Sequence, residues 1–117
     1  MPRFVILNHD HPFPHFDLML EAGSKLRTWR LLGLPTDVRE IRAEPLGDHR
    51  IDYLEYEGPV SGGRGRVIRW DAGSYGIRGE SAEKLTVQLA GSRCRGTGDL
   101  HLTGGAWIWR WHQSRGD

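Results

Sequence analysis

The chain has 117 residues, 38% hydrophobic, 26% charged and 9% aromatic, and sixteen Lys and Arg against fifteen Asp and Glu leave a formal charge of +1. That length accommodates one ordinary core and excludes two full domains, so residues 1–117 read as a single domain. The near-zero charge excludes a general basic coat for nucleic acid, which makes any phosphate binding local, and the lone Cys94 excludes an internal disulfide and fits a reducing, cytoplasmic compartment.

The first predicted strand is Arg3 to His9, whose apolar run Phe4 to Leu7 falls far short of a signal-peptide core or the roughly 20 residues of a spanning helix. A loop from Asp10 to Pro14, stiffened by Pro12 and Pro14, returns the chain antiparallel into a strand from His15 to Ala22. There Phe16, Leu18 and Leu20 share a core face, while His15, Asp17, Met19 and Glu21 share a face turned to solvent or a site. Glu21-Ala22-Gly23-Ser24 makes a hairpin into Lys25 to Leu32, and Gly33 to Val38, with Pro35, Thr36 and Asp37, predicts a single helical turn. Strands at Arg39 to Glu44, Ile51 to Tyr56 and Gly65 to Trp70 follow, the last entered through the glycine-rich loop Ser61 to Gly65. Asp71-Ala72-Gly73 reads as a turn into Ser74 to Gly79. The strands Lys84 to Leu89, Gly98 to Leu102 and Ala106 to His112 complete the pattern. Trp107, Trp109 and Trp111 alternate with Ile108, Arg110 and His112 and are expected in the core, and the polar tail from Gln113 to Asp117 is expected to fray. Short strands punctuated by Gly, Pro and Asp, without repeat or linker, indicate an all-β sandwich or barrel.

Chemistry concentrates near the first hairpin. His9, His11 and His15 fall within seven residues and are followed at once by Asp17. His15 and Asp17 are two apart and leave the same strand face, and the Asp10 to Pro14 loop brings His9 beside them. Two imidazoles and a carboxylate on one face are ligands with open coordination positions, suited to Mn²⁺, Fe²⁺, Zn²⁺ or Co²⁺. A second group, Asp48-His49-Arg50-Ile51-Asp52-Tyr53, offers His49 and Tyr53 for phosphate binding or proton donation beside such a metal. Cys94 between Arg93 and Arg95 would be an activated thiol if exposed and an inert one if buried.

Phe4-Val5-Ile6, then H-D-x4-H-x-D-L-x-L-E from His9 to Glu21, then Asp48-His49-x3-Tyr53-x3-Glu57-Gly58, then Val67-Ile68-x-Trp70-Asp71-x-Gly73-x-Tyr75, occur in one order. This succession resembles the 3′-phosphoesterase domain of bacterial ATP-dependent DNA ligase D, here as a stand-alone version. The resemblance implies a small closed antiparallel β-barrel with its active site in a groove on the barrel exterior. It implies a divalent metal, typically Mn²⁺, and removal from nucleic-acid ends of a 3′-terminal ribonucleoside and then of the 3′-phosphate left behind, to leave a 3′-hydroxyl for a separate polymerase or ligase. By position, His9, His15 and Asp17 match metal ligands, His49 and Tyr53 match residues around the phosphate, and His11 has no counterpart. Met19 stands where the family usually carries an arginine, the usual lysine in the segment Leu31 to Pro35 is absent, and the loop before Val67 looks shortened. Arg64 and Arg66, flanked by Gly62, Gly63 and Gly65, and Arg42 are the candidates to supply the missing cation. Two further readings are a weakened family member that binds DNA ends or repair partners, and an iron-dependent oxygenase built on His15, Asp17 and a distant His49 or His101. A monomer is expected.

Overall fold

The structure is a computed structural model and describes residues 1–115. The strands are β1 (Arg3–His9), β2 (His15–Ala22), β3 (Lys25–Leu31), β4 (Ile41–Arg50), β5 (Gly58–Pro59), β6 (Arg66–Ser81), β7 (Lys84–Gly91), β8 (Arg95–Thr103) and β9 (Ala106–Gln113), with a 3₁₀ turn at Ile51–Leu54. They form one antiparallel sheet in the order β1-β2-β3-β4-β9-β8-β7-β6-β5. Because β6 also pairs with β1, eight strands close into a ring and the two-residue β5 attaches outside it. Closure removes the unpaired edges that an open sheet would expose. The all-β closed antiparallel architecture expected from the sequence is therefore realised. No helix among the described residues is long and apolar enough to cross a membrane.

Alternation along each strand makes two separate apolar clusters. Inside the ring lie Phe4, Ile6, Leu18, Leu20, Trp29, Leu31, Leu85, Val87, Leu89, Leu100, Trp109 and Trp111, drawn from nearly every strand. Trp107 packs against them and meets Trp29 edge-on, so the tryptophan repeat does fill the core. On the opposite face Val5, Leu7, Met19, Leu26 and Val67 form a smaller cluster closed by Leu54 of the 3₁₀ turn. Met19 is thus buried rather than solvent-facing, because the segment after β4 folds back across the outer face of β1, β2 and β6.

Several local expectations are corrected. Ile51 to Tyr56 is not a strand: Ile51 and Leu54 stand three apart, the repeat of a 3₁₀ turn, and both pack onto the outer cluster. Residues 66–70 of the expected Gly65 to Trp70 strand and the whole of Ser74 to Gly79 are parts of one strand, β6, and Asp71-Ala72-Gly73 is no turn. There the register against β1 shifts between Ile6 and Leu7, leaving Trp70 as the extra residue of a bulge. Asp71 is buried beyond this bulge and accepts hydrogen bonds from the Ser92 N–H at 2.8 Å and the Cys94 N–H at 2.7 Å. Gly73 is required for a different reason, since a Cβ there would lie 2.1 Å from the Ala90 carbonyl. The segment Gly33 to Val38 makes only a β-turn, with the Asp37 N–H bonded to the Leu34 carbonyl at 3.0 Å. At the C-terminus, Ser114 N–H bonds Arg95 O at 2.7 Å, so Gln113 and Ser114 are tied to β8. The rest of the expected tail includes Gly116 and Asp117, which lie outside the described residues.

Candidate metal centre and active site

The β1–β2 hairpin sets the geometry. His9 closes β1, His15 opens β2, and the two are cross-strand partners, while Asp17 stands opposite Leu7 on the same outer face. Ligand atoms of His9, His15 and Asp17 all lie within 4.8 Å of one another, with His15 and Asp17 buried and His9 partly so.

Each imidazole spends one nitrogen on the backbone. His15 Nδ1 is 2.8 Å from the Phe13 carbonyl, and His9 Nε2 is 2.9 Å from the Arg64 carbonyl. A carbonyl only accepts, so these nitrogens carry the protons, and in the neutral rings the remaining nitrogens present lone pairs. Those lone pairs face the carboxylate: His9 Nδ1 is 3.0 Å from Asp17 Oδ2 and His15 Nε2 is 3.1 Å from Asp17 Oδ1. His15 Nε2 and Asp17 Oδ1 are buried with no hydrogen-bond partner. Facing acceptors in a buried space need a cation between them, supplied either as protons on the rings or as one metal ion bound by all three residues. The donor set therefore fits a divalent metal, and the two carbonyls hold the rings as outer partners commonly hold metal-binding histidines. Burial pushes the Asp17 carboxyl toward higher pKa, but bonds and charge from His15 and then His9 hold it below its ordinary value.

His9 and Asp17 line a cleft of about 180 Å³ on the outer face, with His15 buried behind them, and the cleft is bordered also by His11, Arg30, His49, Tyr53 and Arg64 and by apolar Met19, Leu46, Val60 and Val67. His49 arrives there through a bulge. Leu46 pairs with Thr28 and His49 with Leu26, so one extra residue at Gly47 and Asp48 resets the alternation and turns His49 to the face already used by Leu46. Its Nδ1 donates to the Gly47 carbonyl at 2.9 Å, which leaves Nε2 as its other polar atom. The 3₁₀ turn then carries Tyr53 to the cleft, with its ring centroid 5.9 Å from that of His49.

The remaining cations are distributed unequally. Arg64 borders the cleft, but its guanidinium is bonded to its own loop, to the Ser61 carbonyl at 2.7 Å and the Ser61 hydroxyl at 3.2 Å. Arg66 donates its backbone N–H to Asp10 at 2.8 Å, and neither it nor Arg42 of β4 lines the cleft. The glycine-rich loop instead seats against the first hairpin: a Cβ on Gly65 would meet Asp10 Oδ1 at 2.2 Å and His11 Cβ at 2.6 Å. Cys94 is buried in the turn between β7 and β8, where burial and the charge of Asp71 push its thiol up to about 12, so the flanking arginines do not activate it. Sequence reasoning missed Arg30. Its signal was available, since the two-residue turn at Gly23-Ser24 sets Ala22 opposite Lys25 and, counting back, Asp17 opposite Arg30.

The sequence profile of the DNA Ligase D 3′-phosphoesterase domain matches residues 7–101. The multifunctional non-homologous end joining DNA repair protein LigD of Mycobacterium tuberculosis is 33% identical over 112 residues, covering 87% of this chain and 15% of that protein. LigD of Pseudomonas aeruginosa is 31% identical over 78 residues, covering 62% of this chain and 9% of its own length. The chain thus spans less than a sixth of the curated relatives it matches.

Proposed function

The chain belongs to the DNA ligase D 3′-phosphoesterase domain family, and from that premise we propose that it is a divalent-metal phosphoesterase acting on nucleic-acid 3′ ends. It would remove a 3′-terminal ribonucleoside, then the 3′-phosphate left behind, and so leave a 3′-hydroxyl for a repair polymerase or ligase. The observation that carries this reading is the convergence of His9, His15 and Asp17, whose ligand atoms lie within 4.8 Å of one another with His15 Nε2 and Asp17 Oδ1 buried and without a hydrogen-bond partner, beside a cleft lined by His49 and Tyr53.

His9, His15 and Asp17 would hold the metal, Mn²⁺ by family resemblance, with Zn²⁺ or Co²⁺ also suited to two nitrogens and one oxygen. When bound, the ion polarises a phosphoryl oxygen and acidifies a water. In each case the water oxygen is added to phosphorus and one ester P–O bond breaks, with a proton returned to the departing oxygen, the ribonucleoside 5′-oxygen in the first reaction and the 3′-oxygen of the remaining strand when the 3′-phosphate is removed. The Tyr53 hydroxyl, and His49 Nε2 when that ring is doubly protonated, are the cleft-wall groups to donate to phosphoryl oxygens or supply that proton. Phe13 and Arg64 contribute through their carbonyls, which fix the imidazole rings.

The test uses 5′-labelled primer–templates ending in a 3′-phosphate or a single 3′-ribonucleotide, incubated with Mn²⁺ beside a His9→Ala control. Wild-type turnover that is lost in the control is the expected result. Turnover that survives in His9→Ala removes the metal assignment, and binding to ends without turnover under any divalent metal moves the protein to the binding reading.

A further inference from the structure

We propose that Arg30, on β3, is the residue that grips the substrate's phosphoryl group in this cleft, an inference that rests on the phosphoesterase reading above. Arg30 is the cross-strand partner of Asp17, and Met19 pairs with Thr28 two residues away, so Arg30 and Met19 are diagonal neighbours on one sheet face. Diagonal pairs in an antiparallel sheet lie about 7–8 Å apart, within reach of a long side chain. Arg30 therefore brings a cation beside an apolar position, Met19, that can supply none.

The state of its donors points the same way. The Arg30 side chain is 22% exposed, its Nε is buried with no partner, and the one hydrogen bond of its guanidinium among the described residues is to Glu44 Oε1 at a long 3.5 Å. An arginine fork is built to hold an oxyanion by parallel N–H donors, and leaving a buried donor unpaired is costly. Arg64, the other arginine bordering the cleft, has already committed its fork to Ser61. Besides the long bond to Glu44, Arg30 is held by a contact that uses no donor, since its guanidinium carbon sits 5.6 Å from the centre of the Phe13 ring, and Phe13 in turn packs edge-on to His15 at 5.6 Å. A phosphate oxygen that reaches the Arg30 fork is thereby next to the ring that would carry the metal.

The decisive variant is Arg30→Met, which keeps an apolar stem against Phe13 and removes only the charge and donors. Inorganic phosphate binding is titrated calorimetrically in Mn²⁺, alongside KM and kcat on the 3′-phosphate primer and the melting temperature. Phosphate affinity should fall about 10–100-fold and KM should rise, with Mn²⁺ affinity and melting temperature close to wild type. Phosphate binding within twofold of wild type, or a wild type that binds no phosphate, overturns the proposal. If Arg30→Met does not fold, Glu44→Gln decides. Releasing the fork from its one partner should tighten phosphate binding about two- to threefold, whereas unchanged or weaker binding counts against the assignment. Phosphate binding that depends on Arg30 without turnover by wild type would sink the phosphoesterase reading and leave the anion site standing. Turnover with no dependence on Arg30 would do the reverse.

Discussion

Asp17 and Asp71 are both buried carboxylates on strands of the same ring, yet their surroundings are opposites. Both oxygens of Asp71 accept backbone N–H bonds, from Ser92 and Cys94, so its charge is met by donors that the chain itself supplies. Asp17 faces two imidazoles that each turn their other nitrogen to a backbone carbonyl, that of Phe13 for His15 and of Arg64 for His9. The contrast teaches that burial of a charge does not identify a site by itself. What matters is whether the neighbouring groups complete the charge or share its need for a cation.

The sharpest way to break this comparison is Asp71→Ala. It strands two buried N–H groups and should cost about 3–5 kcal/mol in denaturant unfolding, leaving Mn²⁺ binding by the surviving folded protein intact. A loss under about 1 kcal/mol would mean that Asp71 does not anchor the β7–β8 turn. Asp17→Asn should do the converse. Its amide can donate to an imidazole lone pair, so metal-free stability should stay within about 1 kcal/mol of wild type, while Mn²⁺ affinity falls about 100-fold or more. The readout is the melting temperature with and without Mn²⁺, because a ligand at 100 times its Kd stabilises by about 2.7 kcal/mol. A full Mn²⁺ shift retained in Asp17→Asn would refute the metal centre.

The Asp71 region makes a kinetic prediction as well. With its thiol held up to about 12, Cys94 should resist a disulfide reagent at pH 8 in the folded protein, and Asp71→Ala should speed labelling about tenfold or more by loosening the turn. Equal rates in the two proteins would separate Cys94 from Asp71. The smallest effect belongs to a third kind of carboxylate, the exposed Glu80, which lies 2.6 Å from Arg27. The hydrogen bond from Arg27 outweighs slight burial and lowers its carboxyl from the ordinary 4.5. A lowered folded-state pKa adds stability above the unfolded value and loses it as pH falls through the folded one. Glu80→Gln should therefore cost under about 1 kcal/mol at pH 7, with the difference disappearing in acid, below 4.5. A difference that grows on acidification would refute the pairing.

Much of the hairpin end was legible from local pattern. Two-residue periodicity placed His15 and Asp17 on one face, and the Glu21-Ala22-Gly23-Ser24 string placed the β2–β3 hairpin, whose register could have been counted from the turn. Those features depend on neighbours along the chain or directly across one short turn. The Asp71-Ala72-Gly73 string misled because a buried carboxylate and a close-packed glycine use the same residue types as a turn, and only the β7–β8 turn folding onto β6 distinguishes them.

By itself the amino-acid sequence determined the all-β class, the strand periodicity, the tryptophan core and the clustering of two histidines with an aspartate, since each follows from side-chain alternation and turn chemistry. Only the tertiary structure decided that β6 returns to β1 to close the ring, that a bulge turns His49 outward, and that the Arg64 carbonyl orients His9. It also decided that Arg30, rather than Arg42 or Arg66, reaches the cleft. These are contacts between segments distant in the chain. Their register is set by the total packing of the ring, which no local window of residues contains.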